Sequence, residues 1–182
     1  MPMTPNEAAD ALRDIEQTGR RSGEAFGYRY AAPYFIVWGV VWIVGYAGTD
    51  LFGKQAPWIW LVAIACGAIG SAMAGRARPS RTSTSAWKSI ALVAIIFLFI
   101  YATYVVMWPV GERQQSAFVP LLAGAVYSGV GVFAGVRWII AGAAVAALTL
   151  AGFFLIHQHY DLWMAAVGGG GLVLAGLWMR SA

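Results

Sequence analysis

Six stretches of this chain contain no Asp, Glu, Lys, Arg or His: residues 30–49, 55–75, 89–111, 114–136, 138–156 and 162–179. Each is between 18 and 23 residues long. An α-helix needs about 20 apolar residues to cross roughly 30 Å of hydrocarbon. Inside lipid the backbone has to satisfy its own hydrogen bonds, so each stretch is expected to be a helix. The strands of a membrane β-barrel would be short and would alternate in polarity, whereas these stretches are apolar on every face. The expected fold class is therefore all-α: a polytopic membrane helical bundle of six transmembrane helices, residues 31–180, preceded by a cytoplasmic leader, residues 1–30, with a short amphipathic helix.

Composition agrees. The chain is 60% hydrophobic and 11% charged, against about 45–50% and about 25% for a soluble domain. The first long apolar run begins near Ala31, behind a leader too long and too acidic for a signal-peptide n-region, so the spans themselves are expected to be the anchor. Met1-Pro2 and the terminal Arg180-Ser181-Ala182 match no lipidation motif. The single cysteine, Cys66, has no intramolecular disulfide partner and reads as a small core residue.

The weakest boundary is the fourth, where only Arg137 separates two stretches. Gly135-Val136-Arg137-Trp138 then has to form a very tight hairpin; the alternative over 114–156 is a segment that enters the membrane and returns.

Lys and Arg set orientation. Arg13, Arg20, Arg21, Arg29, Arg76, Arg78, Arg81, Lys88, Arg137 and Arg180 fall on one side, and only Lys54 and Arg113 on the other. The ten-residue side is expected to be cytoplasmic, with both chain ends there, in a plasma or inner membrane. Trp58, Trp87, Trp108, Trp138, Trp163 and Trp178 lie near the ends of the stretches, at headgroup level. Trp38 and Trp42 stand four apart within the first and share a helix face, which suits packing or lipid contact, or alternatively a stacking platform for a ligand.

In the leader, Thr4, Pro5 and Glu7 suit a helix start, Ala8, Leu12 and Ile15 recur at helical spacing, and Gly19 is a plausible stop. Two large apolar residues bind membrane weakly, so Leu12, Ile15, Arg20 and Arg21 are expected to face the bundle or a cytoplasmic protein partner. The basic segment from Arg76 to Arg81 reads as a positive-inside loop.

His157, His159 and Asp161 form the best ligand-like cluster, since in an extended loop they alternate onto one side, as a metal or pH-sensing site needs; the simpler reading is a polar hairpin. The sequence from Gly48 to Gln55 imitates a phosphate-binding loop but ends in Gln where Ser or Thr would hold magnesium, and is read as coincidence.

Gly168, Gly169, Gly170 and Gly171 occupy the centre of the last stretch. Each glycine costs about 1 kcal/mol relative to alanine in a helix interior. Either neighbouring helices approach closely there, or the helix is broken beside a midplane site, as in transporters. Further small-residue ladders are Gly67/Ser71/Gly75, Gly131/Gly135 and Ala143/Ala147/Ala151; they suit packing within one chain or in a homo-oligomer. A faint inverted repeat is suggested by Pro33 and Pro120 opening spans, with Gly48 and Gly135 fifteen residues on.

No ionisable residue lies deep in any stretch, and no nucleophile–base pair, zinc-binding helix or paired carboxylate is present. The expected function is that of a non-enzymatic integral membrane protein, a membrane sensor, anchor or regulatory partner acting through helix packing and a cytoplasmic interaction, without a cofactor and without direct nucleic-acid binding. A small transporter or channel for a neutral or weakly polar solute is the runner-up, and an outer-face metal or pH sensor the third reading.

Ala11-Leu12-Arg13-Asp14-Ile15-Glu16, Arg20-Arg21, Pro33-Tyr34, Trp38-Gly39 and Trp42 together resemble the leader and first span of a group of small uncharacterised bacterial six-span membrane proteins. Members are often encoded beside a small winged-helix transcriptional regulator. The likeness covers roughly the first 48 residues. It implies a regulatory or sensory setting and supplies no catalytic residues.

Overall fold

The computed structural model describes residues 5–76 and 86–181. Among them the chain is helical: α1 Pro5–Phe52, α2 Ala56–Arg76, α3 Ala86–Val106, α4 Glu112–Ala134, α5 Val136–Leu155, α6 Tyr160–Trp163 and α7 Gly170–Arg180. A π-helical segment, Met164–Gly169, joins α6 to α7, and a 3₁₀ turn, Gly53–Gln55, joins α1 to α2. Among the described residues four helical runs are long and apolar enough to cross a membrane: Leu12–Arg76, Glu112–Ala134, Val136–Leu155 and Tyr160–Arg180. Ala94–Val106 is a shorter apolar helix. The first run contains the turn at Gly53–Gln55, and α2 folds back along α1, with Ile59 beside Gly48, Val41 beside Gly67 and the Tyr34 hydroxyl beside Gly75.

The leader does not form a separate helix. The helix continues through Gly19 into the first apolar stretch, because a lone glycine costs about 1 kcal/mol and ends a helix only where an alternative conformation offers more. Pro33 and Pro120 lie inside α1 and α4 instead of opening spans. Each removes one backbone donor, a loss that membrane helices tolerate when neighbours surround them.

Gly135 alone connects α4 to α5. Its φ of 111° is open to glycine and hardly to other residues. Its N–H donates to the Gly131 carbonyl at 3.0 Å, and its own carbonyl accepts from the Trp138 N–H at 3.2 Å. The segment 114–156 is accordingly two antiparallel helices. They close tightly: a Cβ on Gly124 would lie 2.8 Å from the Gly142 carbonyl oxygen. At the start of α4 the Gln114 side chain accepts from the Gly111 N–H at 2.7 Å, holding one of the otherwise unpaired donors of a helix N-terminus.

The core lies where α1 meets α5 and the last helix. Tyr28, Ala32, Phe35, Trp42 and Tyr46 of α1 are buried, as are Val145 and Thr149 of α5 and Met164, Leu172 and Met179 beyond. The Thr149 hydroxyl satisfies itself on the Val145 carbonyl at 2.7 Å. The exterior stays apolar: Phe133, Val106 and Leu155 are almost fully exposed. Large exposed apolar areas are incompatible with a water-facing monomer and suit lipid.

Candidate functional site

Polar side chains gather at the end of the bundle where α1 finishes and α4 and α6 begin. α1 brings Tyr46, Thr49 and Asp50 there because the first two lie in the last turn of its apolar stretch and Asp50 directly follows it. The Tyr46 hydroxyl donates to the Ser116 carbonyl of α4 at 2.8 Å. The Trp60 indole of α2 donates to the Thr49 hydroxyl at 2.9 Å, and that hydroxyl donates to the Gly45 carbonyl at 2.9 Å. Arg113 reaches from α4 to the end of α5, where its guanidinium donates to the carbonyls of Phe153 and Ile156. It also lies over the Phe153 ring at 5.0 Å and the Tyr160 ring at 5.7 Å. A positive charge on terminal carbonyls is favourable, since those groups carry the negative end of the helix dipole.

His159 precedes α6 with a φ of 57°, a left-handed backbone that turns the chain into the last helix. Its Nδ1 lies 2.8 Å from Asp50 Oδ2. The histidine side chain is 70% exposed and the aspartate only 11%, so the contact ties the α5–α6 connection to the end of α1. His157 is exposed. Asp161 is half-buried, and its Oδ1 has no hydrogen-bond partner. His157, His159 and Asp161 are thus not gathered as a ligand set: among the described residues no group of three or more His, Cys, Asp or Glu side chains is placed to hold a metal. The left-handed turn at His159 replaces the extended loop that would have alternated all three onto one side.

The four central glycines divide into two pairs. A Cβ on Gly169 would stand 2.8 Å from the Ile43 amide and 2.9 Å from the Gly39 carbonyl oxygen. Gly168 faces Trp42 and the Met164 methyl. Gly170 and Gly171 meet nothing within 4 Å. The helix passes through all four without a break, with i→i+5 bonding up to Gly169 and i→i+4 bonding after it. The expected alternative of a midplane break is therefore not realised. Close approach to α1 continues at Gly176, beside Ala32 and Ile36.

Leu12 and Ile15 are 62% and 68% exposed, so they do not pack on the bundle. The Arg20 and Arg21 side chains lie outside the described residues, as do residues 77–85 with Arg78 and Arg81. Cys66 is exposed on α2 and is not a core residue. The Ala143/Ala147/Ala151 ladder of α5 faces mostly outward; Ala141, Gly142, Val145, Thr149 and Gly152 form its packed face. Trp42 is buried, whereas Trp38 is only half-buried.

The sequence placed Arg113 on the side opposite the ten basic residues but gave no sign of its partners on α5 or of the Asp50–His159 contact. The available signal was weak: Arg113 and Lys54 are the only basic residues between Lys88 and Arg137 or between Arg29 and Arg76, respectively. No protein-family model, no curated protein and no solved structure matches this chain.

Proposed function

We propose that this chain is a non-enzymatic integral membrane protein that anchors or senses at the membrane on behalf of a cytoplasmic protein partner. In this reading α1 to α5 and the last helix make six crossings, both ends are cytoplasmic, and the location is the bacterial inner membrane. The Lys and Arg distribution supports that orientation, and the resemblance of the leader and first span supports the regulatory setting. The observation that carries the proposal is the continuity of α1 from Pro5 to Phe52. At about 1.5 Å per residue, the 23 residues from Pro5 to Gly27, ahead of buried Tyr28, extend roughly 35 Å. This arm bears exposed Leu12 and Ile15 and is continuous with the helix that forms the centre of the core. A partner bound to the arm is thereby coupled to helix packing in the membrane.

A transporter for a neutral or weakly polar solute has less support, because the last helix is continuous and Gly168 and Gly169 are filled against α1. The sensor reading at the opposite end rests on the His159–Asp50 contact alone.

The test is photocrosslinking in cells from a reactive residue placed at Leu12 or Ile15. A discrete protein adduct that disappears when the neighbouring position is changed to Asp, in a chain that still inserts, supports the proposal. No adduct from either position, together with unchanged cytoplasmic interactions after removal of residues 1–23, would end it.

A further inference from the structure

At the end of the bundle opposite Asp50, the approach of α1 to α4 and α5 is made by aromatic side chains, and it leaves a hollow of about 390 Å³. Tyr30, Tyr34 and Trp38 form one wall; they stand four residues apart along α1 and so share a face. Phe35, Tyr127 and Trp138 form the other side and support one another. Phe35 lies 4.8 Å from Tyr127 and 5.1 Å from Trp138 between ring centres, and Tyr127 lies 5.9 Å from Trp138. Their mutual packing keeps this wall in place when the space between the walls is filled. Six aromatic rings surround one hollow, and the face of an aromatic ring is the negative part of its quadrupole.

The charged residues nearby are Arg137, Arg29 and Glu24, and none of them lines the hollow. No Lys or Arg is among the lining residues. The Arg137 guanidinium is directed toward the last helix, donating to the Trp178 carbonyl at 2.6 Å and lying over the Tyr28 and Trp178 rings at 5.4 and 4.9 Å. Arg29 is exposed and has interactions of its own. Glu24, by contrast, brings Oε2 to within 3.3 Å of where a Cβ on Gly135 would be, next to the lining residue Ala134 and one turn along α1 from the lining residue Gly27.

We propose that this hollow is a binding site for a lipophilic organic cation, one whose positive charge is carried by a centre surrounded with apolar or aromatic groups. Such a guest gains from aromatic faces what a neutral guest of the same shape does not. Trp38 is the residue through which occupancy reaches the rest of the fold: it stands near Gly67 of α2 and one turn from the buried Trp42, which packs on Gly168.

The test uses the full chain in lipid nanodiscs, with methyltriphenylphosphonium as the probe. Its uncharged analogue with carbon in place of phosphorus, and its anionic borate analogue, are the comparisons. Saturable binding of the cation is measured by calorimetry and by quenching of tryptophan fluorescence, with protein-free nanodiscs subtracted. The cation is expected to bind at least about fivefold more tightly than either analogue, and Trp38→Leu and Tyr127→Leu to weaken it about fivefold to tenfold. Tyr127→Phe, which keeps the ring, should retain binding, and Glu24→Gln should weaken it. Trp58→Leu, in the separate groove between α1 and α2, should leave binding unchanged. Should Trp38→Leu fail to fold, as judged by size exclusion, Tyr30→Leu on the more exposed part of the same wall replaces it. Equal binding of the uncharged analogue, preference for the borate, absence of saturable binding, or leucine variants that bind like the parent would each overturn the assignment.

Discussion

Gly39 of α1 and Gly169 of the last helix stand backbone against backbone. A Cβ on Gly39 would come 2.8 Å from the Gly169 carbonyl oxygen, and a Cβ on Gly169 would come 2.9 Å from the Gly39 carbonyl oxygen. In lipid there is no hydrophobic drive to bring helices together, so close contact between small residues carries the association.

This reciprocity separates neighbouring glycines. Gly169→Ala places a methyl against backbone that cannot yield and should destabilise the protein by about 1–3 kcal/mol. Gly170→Ala enters open space and should be neutral or stabilising by up to about 1 kcal/mol through helix propensity. Thermal unfolding of the two variants in one detergent checks the pair; equal effects would mean that the helices do not cross at Gly169.

Gly135→Ala tests the single-residue turn. The φ of 111° is strained for alanine, and the added methyl would also run into the Tyr28 hydroxyl. A loss of about 1–3 kcal/mol is expected, read as a lower unfolding midpoint. An unchanged midpoint would show that the α4–α5 connection is built differently.

Arg113→Met removes a charged donor from two carbonyls at the end of α5 and should cost about 1.5–3 kcal/mol. Arg113→Lys keeps the charge but not the forked donor geometry, and should fall between parent and Met. A Lys variant as impaired as Met would assign the effect to geometry alone.

The His159–Asp50 contact should be measurable but small, because the histidine is largely exposed. His159→Gly retains access to the left-handed backbone while removing the ring, and Asp50→Asn removes the charge. A double-mutant cycle should return about 0.2–1 kcal/mol of coupling. Strict additivity of the two changes would mean that the side chains do not interact.

Leu12→Asp and Ile15→Asp should leave bundle stability within about 0.5 kcal/mol of the parent, as expected for exposed positions away from packing. They should abolish the crosslinks proposed for the arm. A large drop in unfolding midpoint would instead place these residues against the bundle.

Charge placement along the chain was enough to find the apolar helices among the described residues, four runs of which are long enough to cross a membrane, because a charged side chain is expensive in hydrocarbon. It also located the α4–α5 boundary next to Arg137, although the residue that makes the turn is Gly135, whose φ only the fold reveals. The helical content and the apolar exterior were legible in this way, but the start of α1 was not, since that helix begins at Pro5 and runs through Gly19 and Pro33. Which face of each helix is buried was not. In water the apolar stripe of a helix identifies its inner side, but helices in lipid are apolar all round and that periodic signal vanishes. Cys66 therefore looked internal and is exposed, the Ala143/Ala147/Ala151 ladder, which suited packing within one chain or between copies, faces mostly outward, and Trp38 and Trp42 share a helix face yet differ in burial. Likewise Gly168 and Gly169 are packed and Gly170 and Gly171 are open, although the four are chemically identical in sequence. The sequence alone determined which stretches are apolar helices. Only the tertiary structure decided which small residues meet and that His159 turns to Asp50, because complementarity between two surfaces belongs to the pair and is written in neither strand of residues by itself.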